Sequence, residues 1–380
     1  MAEVIEQSAV LKSPLDETHA RLGATTIERD GWAVPAAYGD AQREYAAVRE
    51  GGAGLIDLSS RGRIQVSGTE AVQFLNGLIT NDMKTLAVNR WMPAAFPNVQ
   101  GRLIASVRVI RLKDEALKEK GTGKNACPTF LIDTEAATQA AVLKNIERFT
   151  LAGDFRVTDV TQQTAMISVQ GSKATELVRA VVGNTAAALE PNEVYATNEV
   201  TVIRSSHTGT LGFDLLVNAD QATSWWENLQ AAGAQPVGYE ALVILRIEAG
   251  VPRYGVDMDE TNVVTETGLD EAVSYTKGCY VGQEIIARIK YRGHVAKKLT
   301  GLLFDEGGKA EAGAMIKSTD GKEIGRLTSV AFSPQLRRTI ALGYLKYDYL
   351  APGTHVKVIA ADEEIGAQVA ELPFVRGTAS

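Results

Sequence analysis

The sequence predicts an α+β protein carrying a separate all-β unit at its C-terminus. Strand-like alternation and helical apolar spacing take turns between residues 40 and 248, with short helices beside short strands. From Lys298 the texture changes to short apolar runs separated by Gly, Pro and Asp turns, the pattern of a small sheet or barrel. The short helices suit an α+β sandwich better than a doubly wound nucleotide fold.

The elements follow in order. A helix is expected around Asp40–Arg49. After Gly51-Gly52-Ala53-Gly54, two short strands, Leu55–Leu58 and Gly62–Val66, flank a polar turn. Ser67-Gly68-Thr69-Glu70 leads into a helix with Ala71, Phe74, Leu75 and Leu78 on its apolar face, and Asn81-Asp82 ends it. Gly101–Leu112 reads as a strand with Leu103, Ala105, Val107 and Val109 on one face. Lys113–Thr129 is a charged excursion before the next strand, Phe130–Asp133. Its Gly121-Thr122-Gly123-Lys124 lacks the spacing and the following Ser/Thr of a phosphate loop. Thr138–Phe149 is an amphipathic helix buried through Val142, Ile146 and Phe149. Strand, helix, strand, strand and helix follow at Thr164–Val169, Ser172–Val182, Val200–Ser205, Gly212–Val217 and Asp220–Ala232, with Trp225-Trp226 packing helix on sheet. Glu240–Glu248 is a helix ended by Gly250. The terminal unit takes its strands from Leu299–Phe304, Gly325–Ala331, Ile340–Leu345, His355–Ile359 and Ile365–Glu371.

Composition narrows the function classes. The 380 residues suggest two or three domains. A net charge of −7 argues against a generally nucleic-acid-coating surface. Two cysteines cannot build a disulfide scaffold or a four-cysteine metal site, so no permanent metal is expected. Met1–Gln7 has no signal-peptide character, and no run is long and apolar enough to cross a membrane. A reducing cytoplasm is the expected compartment.

One segment departs from the acidic background. Between Lys277 and Lys298 lie Lys277, Arg288, Lys290, Arg292, Lys297 and Lys298 against Glu284 alone. An anionic ligand suits it: phosphate, a carboxylate chain or RNA. Cys279 stands between Gly278 and Tyr280, beside Lys277 and just before a helix starting near Gln283, a setting that favours an accessible thiolate. An inert buried thiol is the plain alternative. No histidine follows closely, so a cysteine-protease arrangement has no support. Cys127 reads as a bystander.

Lys277-Gly278-Cys279-Tyr280-Val281-Gly282-Gln283-Glu284 resembles the signature of the YgfZ proteins, folate-binding relatives of the glycine-cleavage T protein (aminomethyltransferase). Further blocks resemble that superfamily in order: Ser13-Pro14-Leu15, Gly31-Trp32, Gly54–Ser59, Phe74-Leu75, Thr80-Asn81-Asp82, Arg204, Thr208-Gly209, Gly212-Phe213-Asp214 and Leu245–Gly250. The resemblance implies two α/β lobes and a C-terminal β-barrel arranged as a ring around a folate-sized cavity. It places a discontinuous first lobe at 1–136 and 238–296, a second at 137–237 and the barrel at 297–380. It implies tetrahydrofolate or a relative as ligand, with Arg246, Glu248, Asn81, Asp82 and Thr210 as candidate folate-binding residues and the basic segment for the glutamate tail.

Two positions depart from the aminomethyltransferase pattern. Where those enzymes carry two glycines and, two residues on, an acidic pair, this chain has Gly101-Arg102-Leu103-Ile104-Ala105-Ser106, so Ala105 and Ser106 stand at the acid positions. Where they carry Tyr-Thr-Gly-Glu, this chain has His207-Thr208-Gly209-Thr210. Losing a positioned acid or base typically costs about 10²–10⁴-fold in rate. His207 itself reads two ways, as a group titrating beside a ligand or as a hydrogen-bonding residue at a strand end. The resemblance therefore implies a folate-binding accessory protein for iron–sulfur cluster assembly or repair, with Cys279 in redox, sulfur, cluster or partner contact. Iron–sulfur proteins or their assembly factors are then the partners. Folate-dependent aminomethyl or other one-carbon transfer, and tRNA binding through the basic segment, are the alternatives. Whether the chain turns over a substrate stays open at this level.

Overall fold

Gly54–Asp57 and Gly62–Ser67 are neighbours in sequence but enter different sheets. The polar turn between them is fixed by Asp57, whose carboxylate accepts the Ser59 N–H at 2.8 Å, and by the Arg61 N–H to the Leu58 carbonyl at 3.0 Å. On one side Leu55 is buried with Ile167, Phe213 and Trp226. On the other, Ile64 and Val66 are buried with Phe96 and Phe130. Each fully buried aliphatic or aromatic side chain contributes roughly 1.5–3 kcal/mol, so each strand is committed to its own core.

The computed structural model describes residues 9–112, 115–116, 126–148, 153–361 and 363–376. Gly121–Lys124 and Phe149 lie outside the described residues. One five-stranded sheet runs Arg156–Asp159, Gly62–Ser67, Thr129–Thr134, Leu103–Arg111, Arg90–Pro97. A six-stranded sheet runs Val194–Ala196, Val200–Arg204, Gly212–Asn218, Thr164–Gln170, Gly54–Asp57, Gln235–Pro236. The sheets exchange strands across residue 136. Gly54–Asp57 pairs antiparallel with Thr164–Gln170, and Arg156–Asp159 pairs antiparallel with Gly62–Ser67.

Most expected elements are present. The helix Ala41–Arg49 is capped by Asp40, whose side chain accepts the Gln42 N–H. Helices Ala71–Leu78, Ala136–Glu147, Ala174–Val181, Ala222–Ala231 and Tyr239–Glu248 lie where helical spacing put them. Trp226 is fully buried in the core of the six-stranded sheet, with Trp225 partly buried against it. Among the strands not read from the sequence are Thr25–Arg29, Trp32–Ala37, Arg90–Pro97 and Arg156–Asp159. Prolines at 35, 93 and 97 masked two of them.

The C-terminal unit is a closed barrel of Lys297–Phe304, Arg338–Lys346, Glu323–Ser333, Met315–Ser318, His355–Ala360 and Glu363–Ala370. Met315–Ser318 is the strand the sequence reading missed; it is short, and its partner shifts register between Ile316 and Lys317. The barrel meets the rest through Tyr239–Glu248. Leu245 and Ala241 pack with Tyr45, Val48 and Ile56, while Ile247 packs with Leu299, Ile340 and Leu342 of the barrel. Leu242, Val243 and Arg246 on the same helix face a cavity.

Candidate functional site

That cavity lies where the two sheets and the helix Tyr239–Glu248 converge, and it encloses about 900 Å³ of atom-free space including its mouth. Its wall combines Ile56, Leu58, Leu242 and Val243 with Arg29, Arg61, Arg246 and Arg253 and with Asp57 and Glu135. Such a mixture, apolar with a few fixed charges, suits an amphipathic anionic ligand. The guanidinium carbons of Arg29 and Arg253 lie 4.6 and 5.0 Å from the Tyr239 ring centroid. Arg29 Nε is buried and has no hydrogen-bond partner among the described residues, leaving a donor for a ligand.

Behind the wall runs a chain of buried charges. Arg61 donates to both oxygens of Asp133, at 2.8 and 3.1 Å, and to Glu135 at 2.6 Å. Arg108 bridges Asp133 and Asp214, each at 2.6 Å, and His207 Nε2 lies 2.9 Å from Asp214. Burial pushes the Asp133, Glu135 and Asp214 carboxyls up. The adjacent Arg61, Arg108, Arg253 and His207 outweigh it, so all three are held below the usual range. A second buried cluster joins Tyr38 Oη to His19 Nδ1 at 2.7 Å and His19 Nε2 to Asp57 at 2.9 Å, with Ser13 also donating to Asp57.

Of the expected ligand residues, the cavity wall includes Arg246. Its guanidinium is already engaged, donating to Asp257 at 2.5 Å and to the barrel's Ser329 at 2.6 Å, and its Nε has no partner among the described residues. Glu248 is placed elsewhere. It is fully buried and accepts from Tyr45 at 2.8 Å, Arg49 at 2.9 Å and Ser333 at 2.5 Å, so its carboxylate fastens a helix and the barrel. At about 100° per residue, a position two along the helix from Arg246 lies on nearly the opposite face. Asn81 and Asp82 are turn residues outside the cavity wall. Asn81 Nδ2 donates to the Pro93 and Glu271 carbonyls, and Asp82 accepts from the Lys84 N–H. Thr210 pairs with Thr208 at 2.7 Å and is also off the wall.

The cysteine motif is a rigid turn. Lys277 is buried and donates to the carbonyls of Asn76, Ile79 and Asn81 at 2.7, 2.8 and 2.7 Å, closing the C-terminus of Ala71–Leu78. Burial pushes its ammonium down to about 8, with Asp82 acting in the opposite sense. Tyr280 is buried with Leu103, Met258 and Ile286. Gly282 has φ 76°, and a Cβ there would meet the Asn98 carbonyl oxygen at 2.4 Å. Gln283 Nε2 reaches the Lys277 carbonyl at 3.4 Å, and Glu284 is exposed on the first turn of the helix Gln283–Arg292. Between these anchors Gly278 and Cys279 are exposed, the cysteine as a free thiol outside the cavity wall.

The basic residues do not converge on the cavity. Arg288, Lys290 and Arg292 are exposed on that helix, Lys290 over the Tyr275 ring. Lys297 lies over Tyr344, and Lys298 pairs with Asp270 at 2.7 Å. Among the described residues no group of three or more His, Cys, Asp or Glu is placed to hold a metal ion. Among the described residues no helix is long and apolar enough to cross a membrane.

Sequence reasoning missed the roles of Arg29, Arg61, Asp133, Glu135 and Tyr239. Asp57 stood inside the Gly54–Ser59 block and so carried a signal, whereas Arg253 lies just beyond the Leu245–Gly250 block. The others are ordinary charged or aromatic residues at strand ends and turns, and the sheets alone bring them together.

The comparisons agree with this architecture. Residues 15–277 match the GCVT N-terminal domain and residues 297–376 the glycine cleavage T-protein C-terminal barrel domain. The aminomethyltransferase of Symbiobacterium thermophilum is 32% identical over 96% of this chain and 97% of its own length. That of Rubrobacter xylanophilus is 31% identical over 98% of this chain and 96% of its own. The crystal structure of glycine cleavage system aminomethyltransferase T from Bartonella henselae has the same fold, with a TM-score of 0.87 over 97% of this chain and 98% of that one at 23% identity. Matched through both lobes and the barrel, and sharing about a third of its residues with full-length relatives, this chain belongs to the glycine cleavage T-protein family.

Proposed function

We propose that the chain binds tetrahydrofolate or a related folate in the cavity at the junction of its sheets. The observation that carries this is the wall itself, where aliphatic side chains and Tyr239 stand among Arg29, Arg61, Arg246 and Arg253. A folate has a flat polar ring system and a carboxylate tail, and this wall offers apolar surface with guanidinium donors. The named relatives favour aminomethyl transfer to that folate as the activity.

A second reading rests on two observations. Ala105 is fully buried in the core and Ser106 carries no charge, so the matching acid positions supply no carboxylate. Cys279 is meanwhile held out to solvent by a turn anchored at Lys277, Tyr280 and Gly282. These favour a folate-binding accessory protein for iron–sulfur cluster assembly or repair, in which Cys279 contacts sulfur, a cluster or a partner. Tetrahydrofolate binding by calorimetry tests the shared premise, and no binding would end both readings. Transfer from an aminomethylated lipoyl carrier to tetrahydrofolate at rates typical of the relatives would select the first. Folate binding without transfer, with loss of iron–sulfur enzyme activity in a deletion strain rescued by wild type and not by Cys279→Ala, would select the second. The basic segment offers no comparable support for tRNA, because its cations are spread over a helix and two barrel positions, one of them already paired.

A further inference from the structure

The cavity wall carries four groups with acceptor atoms, Asp30, Asp57, Glu135 and His207, and each of the three carboxylates already faces a partner. Asp30 lies 3.7 Å from the Arg253 guanidinium. Asp57 accepts from Ser13, His19 and the Ser59 N–H. Glu135 accepts from Arg61 and from Arg253. The fourth is His207. Its Nε2 lies 3.0 and 2.9 Å from the two oxygens of Asp214, and its backbone N–H is fixed by Gln170 Oε1 at 3.0 Å. Asp214 is fully buried and also takes a hydrogen bond from Arg108, which is itself tied to Asp133. A carboxylate so held is an acceptor only, so in the neutral ring Nε2 carries the proton and Nδ1 presents its lone pair. Nδ1 has no hydrogen-bond partner among the described residues, and the His207 side chain keeps 18% of its surface exposed.

Other charged groups surround this site from the neighbouring elements. Asp214 comes from the strand Gly212–Asn218 that follows the His207 loop, and Arg108 of Leu103–Arg111 stands behind Asp214; Asp57 of Gly54–Asp57 and Arg246 of the helix line the same wall. The positions that match the family's acidic pair hold Ala105 and Ser106, which supply no carboxylate.

We propose that His207, oriented by Asp214, is the base of this cavity. Its neutral Nδ1 accepts a hydrogen bond from an N–H of the bound folate and takes that proton when the ligand reacts. The ligand N–H bond breaks as the imidazole N–H forms. The resulting imidazolium is neutralised by Asp214 and returns the proton to the product or to water. Asp214 is a positioning residue, since it acts through the imidazole. The proposal rests on the folate reading above and adds the group that handles the proton.

The test is tetrahydrofolate affinity across pH 5.5–8 for the wild type and His207→Gln. Wild-type affinity should rise about fivefold or more with pH, and the variant should bind with a flat profile relative to the ligand's own titration. A second measurement needs no variant: nitrogen-15 NMR of the wild type should show the neutral ring protonated at Nε2. A flat wild-type profile, an affinity that falls as pH rises, or an Nδ1–H tautomer would overturn the proposal while leaving folate binding intact. Absence of binding at every pH would remove the folate reading and this proposal with it.

Discussion

At the scale of single residues, chemical type and position in sequence were poor guides to role. Arg246 and Glu248 stand in one motif and one helix, yet one lines the cavity and the other locks a joint. Glu248 is fully buried against Arg49, Tyr45 and Ser333, so removing its charge strands a buried guanidinium. Glu248→Gln should lower the unfolding free energy by about 3–5 kcal/mol, read from urea midpoints, and leave tetrahydrofolate affinity of the folded fraction within about threefold. A large affinity loss at unchanged stability would restore Glu248 to the ligand site. Cys279 gives the opposite expectation. It is exposed and free, so Cys279→Ala should change stability by less than about 0.5 kcal/mol. The native thiol should react rapidly with a thiol reagent in the folded chain. A protected thiol would contradict its placement.

At the scale of elements, two pieces do most of the positioning. The helix Tyr239–Glu248 presents separate faces to a lobe, to the barrel and to the cavity, which explains why its apolar pattern is broad rather than a single stripe. The turn from Lys277 to Gln283 is held by an ammonium on three carbonyls, a buried ring and a left-handed glycine. Gly282→Ala combines an unfavourable φ with a Cβ 2.4 Å from a backbone oxygen. Backbone strain of that kind costs on the order of 1–3 kcal/mol, and the clash adds to it. Thermal unfolding should show a clear loss, and the Cys279 reaction rate should change because the turn is displaced. An unchanged melting temperature would mean that the backbone accommodates the methyl group elsewhere.

At the scale of the whole molecule, the buried chain from Glu135 to His207 ties the two sheets together. Asp133 and Arg108 belong to the five-stranded sheet and Asp214 to the six-stranded one. Asp133 and Asp214 are held below the ordinary aspartate value of 3.8, so near and below that pH the unfolded chain binds protons that the folded chain does not. Their contribution is therefore full above pH 3.8 and is lost as pH falls through the lower folded values. Asp214→Asn should cost about 3–5 kcal/mol near neutrality, the usual range for breaking a buried pair. The gap to wild type in urea midpoint should shrink by pH 3. A gap of equal size at both pH values would show that the carboxylate's charge is not what matters. The division we propose is 1–136 with 238–296, 137–237 and 297–380. The exchanged strands Gly54–Asp57 and Arg156–Asp159 mean the first two should unfold together.

The sequence by itself determined the α+β class, most helices and strands, the terminal β unit and the prominence of the Cys279 turn. Those features depend on local periodicity, glycine and proline placement, and short motifs, which are written in consecutive residues. It placed Ala71–Leu78 and Leu103–Arg111 well, and it missed Trp32–Ala37 and Arg90–Pro97 because prolines mask strand character there. Tertiary structure alone decided which charges face the cavity. Arg61, Asp133, Arg108, Asp214 and His207 are separated by up to 106 residues along their hydrogen-bonded links, and no spacing rule connects them. Electrostatic pairing acts through space, so the ion chain, the joint at Glu248 and the base at His207 exist only once two sheets and a barrel have closed on one helix.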